Sequence, residues 1–240
     1  MPGTAAPFDR RTWLAGVLTM PGLCPARGAR IGTGETRLSL ADVLAAAHAL
    51  IERHLQASPA NDEAWVHAAA ALFAQLGELP PDPFGEPTAQ ERDFLRQHSW
   101  MFRRVDAAPP DRARPAVITH QIHVAPGGKI PLHDHRQLFG AIVCAAGEVE
   151  IRSFDRVAGA VEDAEVVLQE TARTWLTPGR YSLLTRSRDN VHEFRAGKAG
   201  VRLLDLFVWL DDDARSHDLV WVDDPEASPP DRRYRARWAK

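Results

Sequence analysis

From Ala116 onward the chain changes character. Short runs rich in Val, Ile, Leu and aromatic residues follow one another: VITHQIHVAPGG, LFGAIVCAAG, EVEIRSFD, AEVVLQE, RYSLLTRSRDN, VHEFRAG, GVRLLDLFVWL and DLVWVDD, separated by turn-forming residues. Many strands joined by close turns predict a sandwich or barrel, and about eight of them in roughly a hundred residues suit a double-sheet jelly roll.

The preceding hundred residues read as helical. Ser39 is placed to cap a helix starting near Leu40, LADVLAAAHALIERHL, which ends near Ser58-Pro59. Asn61 or Asp62 is placed to cap a second helix, EAWVHAAAALFAQL, which stops at Gly77 and the proline-rich GELPPDPFGEP. A third, short helix is expected from Thr88 to His98. The chain is therefore expected to be mainly β with N-terminal helices: a mostly helical extension over 1–115 packing on a barrel over 116–225, and a polar tail over 226–240. With 240 residues and 45% apolar content, a single generous domain with an extension is affordable.

Charge excludes several functions. The net charge is only -3, from 29 basic and 32 acidic residues, so no overall field favours nucleic acid or an anionic membrane. A small molecule is the expected partner, and no oligomeric state is set; a monomer is compatible. Two cysteines, Cys24 and Cys144, in unlike surroundings do not make a disulfide framework. No apolar stretch reaches the roughly 20 residues of a membrane span. Arg10-Arg11 before the apolar run Trp13 to Met20 loosely imitates a twin-arginine export signal, but Pro21 and Gly22 interrupt the run and no small-x-small cleavage site follows, so the expected location is cytoplasmic.

The chemistry lies in Gly127-Gly128-Lys129-Ile130-Pro131-Leu132-His133-Asp134-His135. On a strand, residues i and i+2 face the same way, so His133 and His135 converge on one point while Asp134 faces the opposite side. Neutral imidazole suits iron, nickel, copper or zinc. A third ligand is expected from the second half of the barrel, where His192 heads the apolar run Val191-His192-Glu193-Phe194. His120 and His123 precede the motif on opposite faces of one strand and stay outside this set, with His123 next in line.

Gly127, five residues, His133-x-His135 and then Gly147 resembles the first cupin motif. IPLHDH followed by an apolar strand and GEVEIRSFD resembles the thiol dioxygenases, particularly the cysteamine dioxygenase and plant cysteine oxidase group. The resemblance extends through Leu176-Thr177-Pro178 and His192 to Leu204-Asp205-Leu206, covering about Ala116 to Val222. It implies a cupin double-stranded β-helix (jelly-roll) barrel with one Fe(2+) per chain on His133, His135 and His192. The implied reaction adds both atoms of O2 to the sulfur of a small thiol, giving a sulfinate. Many cupins place a glutamate ligand three or four residues beyond the HxH pair; Phe139 and Gly140 stand there, so a site of three histidines without a carboxylate is implied. Asp205 matches an acidic residue of the group that serves the pocket, where it would pair with a substrate amine or order a water.

Other positions depart from the group. Arg136-Gln137-Leu138 follows HDH where a glycine- or proline-led segment is usual, and the tyrosine-bearing end strand reads His217-Asp218-Leu219-Val220-Trp221. Cys144 is expected to pack as a small core residue. For a carboxylate-bearing thiol an arginine fork would be the natural partner, with Arg103, Arg104, Arg112, Arg114 and Arg173 available. Cysteamine, cysteine, a mercapto acid and a peptide N-terminal cysteine all remain open as substrate. So do two other functions, a cupin oxygenase acting on carbon and a metal-binding cupin that senses a ligand.

Overall fold

Two glycines on different strands decide how the sheet bends. Gly147 and Gly200 adopt the left-handed region (φ +78° and +75°), and a Cβ on Gly147 would lie 2.1 Å from the Gly200 carbonyl oxygen. Only two bare backbones can cross so closely. In the sequence these glycines read as turns between separate strands. In the computed structural model, which describes residues 42, 45, 46, 49, 50, 64–68, 86–104, 116–159, 164–209, 215–227 and 229–239, they are bends within two long strands that run antiparallel to each other along most of their length.

Those two strands are β4 (Leu138–Ala158) and β7 (Val191–Trp209). The others are β1 (Trp100–Arg104), β2 (Ala116–Val124), β3 (Lys129–Arg136), β5 (Val166–Leu176), β6 (Tyr181–Leu184), β8 (Arg215–Trp221) and β9 (Arg233–Trp238). All pairings are antiparallel, in the order β1-β2-β7-β3-β8-β9-β5-β4-β6 with β4 also joined to β7. The extra pairing closes a ring, β7-β3-β8-β9-β5-β4, so the six strands of that ring have no free edges. This is a mainly β protein with a closed antiparallel barrel.

The expected boundaries need two corrections. The sheet begins at β1, before Ala116, because Trp100–Arg104 pairs along β2 from Val124 to His120. The segment expected as a polar tail carries β9, which pairs with both β5 and β8 and closes the ring. Its charged residues hid the alternation: Tyr234 and Ala236 are buried while Arg233, Arg235 and Arg237 on either side of them face solvent. The expected short helix is present as α1 (Ala89–His98), with Thr88 and Glu91 forming a capping box at its start. Residues 64–68 are helical, and Trp65 meets Phe139 on the sheet edge-on, ring centroids 5.1 Å apart. The Arg10-Arg11 segment, Cys24 and most of the two earlier helices lie outside the described residues.

Two hydrophobic clusters flank the β3-β7-β4 layer. One contains Ile130, Ile142, Cys144, Ile151, Phe194, Leu203 and Phe207. The other draws on all six ring strands, with Leu132, Phe154, Leu168, Val191, Leu219 and Tyr234 among its members. At the end of the second cluster sits a buried cation. Arg152 donates to Glu170 (2.8 Å), Glu193 (2.9 Å) and the Pro225 carbonyl (2.9 Å), with its guanidinium over the rings of Phe154, Trp221 and Tyr234. Burial alone would raise the Glu170 carboxyl, yet hydrogen bonds from Arg152 and Arg232 bring it below its ordinary range. Among the described residues no helix is long and apolar enough to cross a membrane.

Candidate metal centre

The alternation of β3 splits the HDH motif between the two clusters. Leu132 packs in the ring cluster, whereas His133 and His135 turn toward Phe194 and Phe207 in the other. A bulge between Ile130 and His133 sets this register against β7, so that Ile130 faces Phe194 and His133 faces His192. Pro131 lies in that bulge, where its missing N–H costs no ladder hydrogen bond. Its carbonyl instead accepts from His133 Nδ1 at 2.8 Å.

His133, His135 and His192 come together, each offering one ring nitrogen, with those atoms within 4.8 Å of one another. The Nε2 atoms of His135 and His192 are 2.9 Å apart, and those of His192 and His133 are 3.1 Å apart. Since a carbonyl only accepts, the bond to Pro131 holds the proton of His133 on Nδ1 and leaves its Nε2 lone pair facing inward. His135 Nδ1 has Ser216 Oγ at 3.0 Å, which permits the same tautomer. Burial drives all three imidazoles toward the neutral form, and repulsion among the rings pushes His135 and His192 further that way.

This donor set fits a transition-metal ion. Inward lone pairs at such separations repel unless a proton or cation lies among them, and nitrogens on adjacent positions of one ion, with bonds of about 2.1 Å, stand about 3 Å apart. Around the rings the walls are apolar: His192 meets Phe194 (4.7 Å between centroids) and His135 meets Phe207 (4.7 Å). No carboxylate belongs to the cluster among the described residues. Residues 139 and 140, where many cupins carry a glutamate ligand, have no room for one. Phe139 turns away to meet Trp65, and a Cβ on Gly140 would lie 2.2 Å from the Leu206 carbonyl oxygen and 2.6 Å from the Phe207 ring.

Asp205 lies on β7 opposite both His120 of β2 and Ile142 of β4. Its carboxylate is buried, Oδ2 stands 3.7 Å from His120 Nδ1, an ion-pair separation rather than a hydrogen bond, and Oδ1 has no hydrogen-bond partner. Burial lifts its pKa to about 6, although His120 acts in the opposite direction. His120 shares the Asp205 face and its charge is felt by His135. Across β2, His123 faces Arg202 on the other side of the sheet. The missing signal was the β2-β7 pairing, which joins segments about eighty residues apart and shows in no local pattern.

The remaining candidates separate cleanly. Arg103 is held by Glu91 through two bonds (2.6 and 2.7 Å) that tie β1 to α1, and Arg173 lies 3.4 Å from Glu170. Arg112, Arg114 and the side chain of Arg104 lie outside the described residues. Cys144 is buried with its thiol pushed up to about 11 by desolvation, which keeps it protonated and inert.

No protein-family model matches the chain, and no curated protein does either. Solved structures do. Recombinant pro-11S globulin of pumpkin matches at 12% identity over 50% of this chain and 28% of its own, with a TM-score of 0.39. Oxalate oxidase matches at 15% identity over 50% and 54%, with a TM-score of 0.36. KdgF from Halomonas sp. matches at 15% identity over 48% and 83%, with a TM-score of 0.34. The chain thus spans less than a third of the pumpkin globulin and about half of the oxalate oxidase.

Proposed function

We propose that the protein is a non-haem Fe(II) thiol dioxygenase, in which His133, His135 and His192 hold the metal and a small thiol is oxidised by O2 to a sulfinate. The observation that carries this reading is a neutral face of three imidazoles, set in an apolar wall and with no carboxylate among the described residues joining it. It agrees with the resemblance of IPLHDH and the strand around Asp205 to the cysteamine dioxygenase and plant cysteine oxidase group. Ferrous iron held there would supply open coordination positions for a thiolate and dioxygen, together with the electrons that start oxygen reduction.

The chain's own residues do the rest. His133 is held in the ligating tautomer by the Pro131 carbonyl, and the His135 ring is oriented by Ser216, whose hydroxyl is compatible with the same tautomer. Phe194 and Phe207 exclude water from the reacting sulfur, which limits leakage of partly reduced oxygen. Asp205, with one oxygen lacking a partner, offers an acceptor to a donor on the substrate, and its location beside His120 gives a place where a proton can be held. That acceptor favours thiols carrying an amine over mercapto acids, since a second carboxylate would meet Asp205 unfavourably. On this reading the enzyme works in the cytoplasm, where thiols are kept reduced.

Oxygen uptake by the iron-loaded protein with cysteamine, cysteine, a peptide with N-terminal cysteine and 3-mercaptopropionate tests the assignment. Turnover is expected with at least one amine-bearing thiol. Iron binding without oxygen uptake on any thiol would transfer the site to carbon oxygenation or ligand sensing.

A further inference from the structure

The strand that departs from the thiol dioxygenase pattern lies directly against the HDH motif. In the antiparallel β3-β8 register, His135 faces Ser216, Asp134 faces His217 and His133 faces Asp218. Two of the three facing pairs are hydrogen-bonded through side chains. Ser216 Oγ lies 3.0 Å from His135 Nδ1. Asp134, buried on the far side of β3, accepts both the His217 backbone N–H (3.0 Å) and its Nδ1 (2.8 Å) on a single oxygen. Trp238 of β9 packs edge-on against the His217 ring at 5.7 Å, so the ring-closing strand supports the same pairing.

We propose that Ser216 and His217 are positioning residues for the metal centre, in which Ser216 orients the His135 imidazole and His217 locks Asp134, and with it the register that aims His133 and His135 at one point. The inference rests on reading His133, His135 and His192 as ligands. Its physical basis is that an imidazole has one free torsion about its bond to Cβ that a partner on Nδ1 removes, and that a one-residue slip of β3 would turn both histidines to the other face. A hydroxyl meets the need at position 216 because the neighbouring backbone is engaged in the ladder, and threonine preserves that hydroxyl on the same Cβ.

The test is Co(II) affinity of the full chain, by competition with a chromophoric chelator, in the wild type, Ser216→Ala and Ser216→Thr, with the melting temperature of each metal-free protein. Ser216→Ala is expected to bind Co(II) about 10- to 100-fold more weakly, as loss of an outer partner of a ligand does, with the metal-free melting temperature unchanged. Ser216→Thr is expected to restore most of the affinity and the wild-type Co(II) visible spectrum. His217→Gln provides a second reading: weaker Co(II) binding together with a lower melting temperature, because it loosens the strand as well. Wild-type affinity and spectrum in Ser216→Ala would overturn the positioning role while leaving the three-histidine site standing. Absence of Co(II) binding by the wild type would overturn both.

Discussion

His135 and His192, on strands β3 and β7, hold their Nε2 atoms 2.9 Å apart in a buried apolar setting. A single proton can bridge those two nitrogens, but His133 Nε2, 3.1 Å from His192 Nε2, brings a third inward lone pair to the same point, so bound metal is expected to stabilise the fold. At a free metal concentration a hundred times Kd the gain is about 2.7 kcal/mol, seen as a higher melting temperature in wild type. Replacement of His133 or His192 by alanine is expected to abolish both the metal-dependent rise and iron content. A His192→Ala protein that kept its iron would remove β7 from the site.

Asp205 gives a pH signature. Burial raises its pKa from 3.8 to about 6, so between those values the folded chain keeps a proton that the unfolded chain has released. Its contribution to stability is therefore fully present below about 3.8 and is lost as pH rises through about 6, to the extent of about 3 kcal/mol. Asp205→Asn is expected to melt higher than wild type at pH 8, with the gap shrinking toward pH 5, while turnover of amine-bearing thiols falls. Thermal melts of the two proteins across that range check this; a gap independent of pH would show that the carboxylate is not strained by burial.

At Gly140 the limit is steric. A Cβ there meets backbone at 2.2 Å and the Phe207 ring, which itself lies against His135. Gly140→Ala is expected to cost roughly 1–3 kcal/mol in urea unfolding and to weaken metal binding by displacing Phe207. An alanine variant as stable as wild type would mean that β4 and β7 have room for a fourth ligand.

Arg152 tests the ring interior. Its removal leaves Glu170 and Glu193 without their shared cation, and breaking such a buried pair typically costs about 3–5 kcal/mol. Arg152→Leu is accordingly expected to lower stability by that order, measured by urea unfolding, without changing the metal-to-protein ratio of the folded fraction. A loss below about 1 kcal/mol would place Arg152 among ordinary exposed ion pairs.

The barrel was legible because its strands carry period-two patterns, and its histidine pair because it is two residues apart: His133 and His135 announce a shared face wherever the strand runs. His192 was legible as the histidine heading an apolar strand in the second half. Less visible were features that depend on pairing between distant segments. Gly147 and Gly200 read as turns because their partner is each other, and β9 read as tail because arginines alternate with Tyr234 and Ala236. His120 and Ser216 acquire meaning only from the registers that bring them to Asp205 and His135. No local signal marks a serine as the neighbour of a clustered histidine.

The most direct test of the account is turnover under ¹⁸O2 by protein reconstituted anaerobically with Fe(II), with the mass of the product of each thiol recorded. The account predicts that an amine-bearing thiol gains two labelled oxygen atoms on sulfur, and that His133→Ala yields no such product. Iron-loaded protein that leaves every thiol unoxidised, or that places label on carbon, would contradict it.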